Sequence, residues 1–166
     1  MSTDDDDWLD LGLDQLATDQ AQRVRLLRTL LSTAAVLRGR LDRTLAPAGV
    51  TSQQAAMLQL IEAQPVAPTI SFVAQAMDMT HQNVKQIALA LQKKGFLDIS
   101  TDAADRRVRR LQLTAYHHQF WQQRNPADFS SVHDWTAGLS DVEVRQALGL
   151  LAKLKAHAKA GRGQGQ

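Results

Sequence analysis

One apolar stripe constrains this chain more than any other feature. Between Leu9 and Ala46 there is no proline, and Gly12 and Gly39 are the only glycines. Leu30, Ala34, Leu37, Leu41 and Leu45 recur at steps of three and four, which puts them on one face of a long helix. Leu26, Leu27 and Leu31 widen that face. A helix so long and so rich in leucine carries more apolar surface than a small domain easily covers, so a partner helix from a second copy of the chain is expected. The 166 residues, 44% of them apolar, supply one core of ordinary domain size and leave no room for a second full-sized domain. The absence of cysteine excludes disulfides, thiolate metal sites and thiol switches. Arg, Asp or Gln interrupts every apolar run before the roughly 18 residues of a membrane span. The acidic start is unlike a signal peptide. A cytoplasmic protein without membrane contact is the expectation.

The small net charge of +2 hides a strong asymmetry. Residues 1–22 hold seven aspartates, four of them in the run Asp4–Asp7, and no lysine or arginine. Nineteen basic and ten acidic residues remain, a net of +9. Four arginines fall within five positions: Arg106, Arg107, Arg109 and Arg110. A basic body of this kind suits a polyanionic partner. The acidic run reads as a solvating, flexible tail.

Beyond Pro47-Ala48-Gly49, local signals alternate quickly. Thr51 and Gln54 form a capping-box pair that opens a helix through Ile61. Ser71 is a plausible cap for a short helix ending at Met77. Thr80 caps the next helix, with Val84, Ile87, Ala88 and Leu91 inward. Lys93-Lys94-Gly95 closes it, cations in the last turn and glycine beyond. The period then switches to that of strands, at Phe96–Ile99 and Val108–Leu113, around a polar loop carrying the arginines. Thr114 caps a helix to about Arg124, where Asn125-Pro126 is expected to interrupt it, and another helix covers Phe129–Trp135. Ser140 and Glu143 box the last helix, striped by Val144, Ala147, Leu148, Leu151 and Leu154.

Helix, turn, capped helix, strand, basic loop, strand is the order of a helix-turn-helix with a wing. On the capped helix Gln82, Gln86 and Lys93 lie opposite the apolar set; Asn83 and Lys85 flank them and His81 stands at the N-terminus. Side-chain amides pair with adenine N6 and N7, whereas lysines and the helix N-terminus bind phosphate and set register. Arginines at a ribbon tip enter a narrow A·T minor groove. Asp102 and Asp105 look misplaced beside DNA, and the expectation is that they brace the loop internally. The adjacent His117 and His118 are not expected to share one helix face, so no metal site is anticipated. Asp128, Ser131 and His133 form no catalytic set. No phosphate-binding glycine pattern occurs, and no cofactor is expected.

Thr80 to Gln86, the helix end Leu91-Gln92-Lys93-Lys94-Gly95-Phe96-Leu97, the wing Asp102 to Arg107 running into Leu111-Gln112-Leu113-Thr114, and Gly138 to Glu143 together resemble the MarR family of winged-helix regulators. The resemblance covers about residues 20–156. It implies a mainly α fold with a small β-wing: an acidic, flexible segment over 1–19, a dimerisation helix over 20–48, a winged helix-turn-helix over 49–114, dimerisation helices over 115–158 and a flexible tail over 159–166. It further implies a homodimer on a pseudo-palindromic duplex, contacted by Thr80, His81, Gln82, Asn83, Lys85, Gln86, Arg106, Arg107 and Arg109. It also implies a repressor released by a small, aromatic effector, for which Tyr116, Phe120 and Trp121 are candidate contacts. Gln86 stands where members often carry arginine, which favours adenine. Arg109 and Arg110 are strand neighbours facing opposite ways, so at most one meets DNA. The rival reading is a winged helix used only for protein association.

Overall fold

The computed structural model describes residues 7–102 and 104–161. The expected flexibility of the acidic run falls largely on residues 1–6, and that of the C-terminal tail largely on 162–166; both stretches lie outside the described residues. Six helices and one ribbon follow in order: α1 (Thr18–Leu45), α2 (Ser52–Glu62), α3 (Ile70–Met77), α4 (His81–Lys93), β1 (Leu97–Thr101), β2 (Arg109–Leu113), α5 (Ala115–Thr136) and α6 (Asp141–Ala160). The chain divides into two compact units within α5, after His118. Among the described residues no helix is long and apolar enough to cross a membrane.

The first unit holds the core. Met57, Leu58 and Ile61 of α2 meet Ile70 and Val73 of α3, Val84, Ala88 and Leu91 of α4, and Phe96, Leu97 and Leu111 of the ribbon, all buried. Each large apolar side chain so buried contributes roughly 1.5–3 kcal/mol. The α2 capping box forms as its sequence dictates, with Thr51 accepting from the Gln54 amide and Gln54 returning to the Thr51 amide. Asp42 of α1 accepts from the Ser52 amide at 2.7 Å and fixes the α1–α2 junction. That bond to the start of α2 holds the Asp42 carboxyl below its ordinary range.

Three local expectations need correction. Residues 7–16 are structured: short 3-10 turns cover Asp7–Leu9 and Leu13–Gln15, and Leu9 is buried. Arg28 of α1 donates to the carbonyls of Leu9 and Leu11, both at 2.9 Å, and Arg25 pairs with Asp10 at 3.1 Å. Basic side chains of α1 thus hold down a segment that its composition alone describes as solvated. Thr69, not Ser71, caps α3; its backbone is extended and its hydroxyl accepts from the Phe72 amide at 3.1 Å. Finally, α5 runs through position 126 without a break. Proline removes one helical donor there, and Arg124 spans the position with two bonds to Asp128, at 3.1 and 3.0 Å. An i,i+4 pair of this geometry supports the turn that proline weakens.

In the second unit α6 opens on a full capping box from Ser140 and Glu143. Its stripe stays uncovered: Leu148, Leu151 and Leu154 are exposed, Leu148 by 62%. Within the first unit, α1 likewise leaves Leu26, Leu27 and Leu31 exposed, Leu31 by 63%.

Candidate nucleic-acid interface

The helix-turn-helix is closed by one left-handed residue, Asp78 at φ 59°, which ends α3 and turns the chain into α4. Thr80 then accepts from the Asn83 amide at 3.2 Å and starts α4. With Val84, Ala88 and Leu91 sunk in the core, the helix has no choice of face. His81, Gln82, Asn83, Lys85 and Gln86 are all exposed, as is Thr80. Leu89 is exposed beside them, an apolar side chain on an amide-rich surface. The far end is anchored by Lys94, whose ammonium donates to Gln54 Oε1 at 2.8 Å and to the Gly49 carbonyl. Its charge therefore serves the fold, whereas Lys85 and Lys93 face solvent.

The wing is an antiparallel ribbon in which Leu97 faces Leu113, Ile99 faces Leu111 and Thr101 faces Arg109. Its two acidic residues brace the loop, as the sequence suggests. Asp102 accepts from the amides of Ala104 and Asp105, at 2.8 and 3.1 Å, and from the Arg110 guanidinium. These donors, Arg110 foremost, hold the Asp102 carboxyl below the usual carboxylate range. Asp105 accepts from the Arg107 amide at 2.9 Å and from Arg107 Nε at 3.4 Å. The four arginines thus divide. Arg110 is turned inward, bound to Asp102 and donating to the Ala67 carbonyl at 2.8 Å. Arg109 is exposed on the opposite face, where it donates to Thr101. Arg106 is exposed, and the Arg107 side chain is 92% exposed.

Helix and wing converge. His81 at the start of α4, Ser71 in the first turn of α3, and Arg107 and Arg109 of the wing border one open cleft with Thr69, Ile70 and Val108. A surface that combines two helix starts, exposed amides and guanidinium groups can bind phosphates and offer paired donors and acceptors to base edges. Ser71 is the member of this cleft that sequence reasoning misassigned. Its exposure in the first turn follows once Thr69 is recognised as the cap.

The aromatic candidates fall in different units. Tyr116 packs on Phe96 with ring centroids 5.1 Å apart, and Phe120 meets Trp121 edge-on at 5.2 Å. His117 and His118, adjacent in sequence, both approach Glu62, at 3.6 and 3.5 Å. His117 is only 1% exposed, and burial pushes its pKa down against the pull of the Glu62 carboxylate.

A helix-turn-helix followed by a two-stranded wing and framed by long helices defines the winged-helix class. Neither a family profile nor any curated protein sequence matches the chain. Solved structures do. The MarR family transcriptional regulator AbsC from Streptomyces coelicolor aligns with a TM-score of 0.74 at 21% identity, over 90% of this chain and 99% of its own. A MarR protein from Peptoclostridium difficile aligns with a TM-score of 0.74 at 16% identity, over 82% of this chain and 88% of its own. MepR of S. aureus, solved as a complex with DNA, aligns with a TM-score of 0.72 at 19% identity, over 80% of this chain and 97% of its own. The fold is that of the MarR-type winged-helix regulators.

Proposed function

We propose that this protein is a sequence-specific DNA-binding transcriptional regulator that acts as a homodimer on a pseudo-palindromic duplex. The observation that carries the reading is the shared cleft of His81, Ser71, Arg107 and Arg109. It sets the start of an amide-bearing helix beside a basic ribbon, with Gln82, Asn83 and Gln86 exposed. The amides read base edges in the major groove, preferring adenine. Thr80, His81 and Lys85 hold phosphates, and Arg106, Arg107 and Arg109 follow the flanking backbone or minor groove. The exposed leucines of α1 and those of α6 are the surfaces a second copy covers, and two reader helices then meet successive major grooves about one turn apart. The protein is a repressor released by a small aromatic ligand, not a catalyst.

Selection of bound duplexes from a random pool, followed by titration at several salt concentrations, tests this. An enriched inverted repeat with steep salt dependence is expected. No enrichment and no shift of AT-rich duplex at low salt would instead support a protein-association module. Titration of aromatic acids into the complex tests the release.

A further inference from the structure

Away from the cleft, three metal-ligating side chains converge where α2 ends and α5 begins. Glu62 is the last residue of α2, and His117 and His118 lie in the first turn of α5. The two carboxylate oxygens are divided between the rings: Oε2 is 3.6 Å from His117 Nε2, and Oε1 is 3.5 Å from His118 Nδ1. The rings stand edge to face, with centroids 5.1 Å apart. One ligand atom from each residue falls within 4.8 Å of the others.

From this arrangement we infer that Glu62, His117 and His118 form a binding site for a divalent transition metal, zinc in the first instance. The separations carry the argument. At 3.5–3.6 Å each oxygen–nitrogen pair is longer than a good hydrogen bond, which lies near 2.7–3.2 Å. Ligands bonded to a tetrahedral ion at about 2.0–2.1 Å stand roughly 3.3 Å from one another. Each separation is within a few tenths of an ångström of that spacing, but to a different carboxylate oxygen, so a turn of the exposed Glu62 carboxylate brings a single oxygen to both nitrogens. The imidazole nitrogens lie within 4.8 Å of each other, an edge that movement of the exposed His118 side chain has to shorten. Consecutive residues on a helix diverge by about 100°, and here Glu62, from another element, approaches both imidazoles. Two nitrogens and one carboxylate suit zinc, nickel or copper and disfavour magnesium and calcium, which take oxygen ligands. Burial of His117 fixes one ligand in the fold, while Glu62 and His118 line an open cleft with Gln64 and Gln112.

This site is independent of the DNA reading, and its test does not involve DNA. Full-length protein stripped with chelator and dialysed is titrated with Zn2+ by calorimetry and with Co2+ by visible absorption. One ion per chain and the d–d band of low-coordinate Co2+ are expected. Glu62→Gln and His118→Ala, both at exposed positions that leave the core intact, should each weaken binding at least about tenfold, a loss typical even of outer-shell partners. His157→Ala, exposed on α6, should bind as wild type does. Excess Zn2+ should raise the melting temperature of wild type and not of His118→Ala. Absence of saturable binding, or equal affinity in wild type, Glu62→Gln and His118→Ala, overturns the site.

Discussion

Gln86 of α4 and Arg107 of the wing are both exposed, yet under the proposed DNA reading they should fail differently when removed. In that reading the Gln86 amide gives a base edge a donor and an acceptor, so Gln86→Ala should cost about 1–3 kcal/mol of discrimination at one operator position. Comparing selected and single-mismatch duplexes at fixed salt measures that loss; affinity for unrelated duplex should stay unchanged. Arg107 presents a charge, so Arg107→Ala should weaken binding to all sequences and lower the salt slope by about one. Equal slopes for variant and wild type would remove Arg107 from the interface. At this scale the sequence was only partly readable. Strand alternation said that Arg109 and Arg110 diverge, but not which one turns inward. That choice depends on Asp102 and the Ala67 carbonyl, 43 positions from Arg110, and no local pattern announces it. The meeting of His117 and His118 at Glu62 was illegible for the same reason, since the carboxylate comes from another helix.

The wing shows how one side chain can organise an element. Asp102 binds two loop amides and Arg110, so Asp102→Asn should loosen the ribbon while leaving α4 undisturbed. Affinity should fall, the preference within each major-groove half-site should persist, and proteolysis between residues 101 and 109 should accelerate. The pH dependence has a definite sign. Because the folded carboxyl titrates below its usual range, its contribution is complete above about pH 3.9, the ordinary aspartate value, and is lost as pH falls through the lower, folded value. Amide exchange of Ala104 and Asp105 in wild type should stay slow at pH 5 and quicken only in stronger acid. Elements with strong local signals were legible in advance: the capping boxes of α2 and α6, the Thr80 cap and the buried stripe of α4 all stand as the sequence indicates. The continuity of α5 was not, because proline is a local veto that the Arg124–Asp128 pair, invisible to a propensity argument, offsets.

For the molecule as a whole, the surplus of leucine on α1 is the main fact awaiting a partner. Leu31 is exposed in the single chain, so Leu31→Asp should not unfold an isolated protomer. It should abolish dimers, as read by sedimentation, and with them tight binding to an inverted repeat, while weak binding to a half-site survives. Unfolding without dissociation would show that the leucine packs within its own chain. A final consequence follows from the root of the wing. The Leu111 amide donates to the Pro68 carbonyl at 2.9 Å, and Thr69 bridges to Arg110, so the ribbon is stitched to the strand-like approach to α3. The helix-turn-helix and the ribbon are thereby joined as the two jaws of one stiff caliper. Under the proposed DNA reading, a base pair inserted inside one arm of an operator should therefore abolish tight binding to that arm, where the caliper's jaws have a fixed gauge.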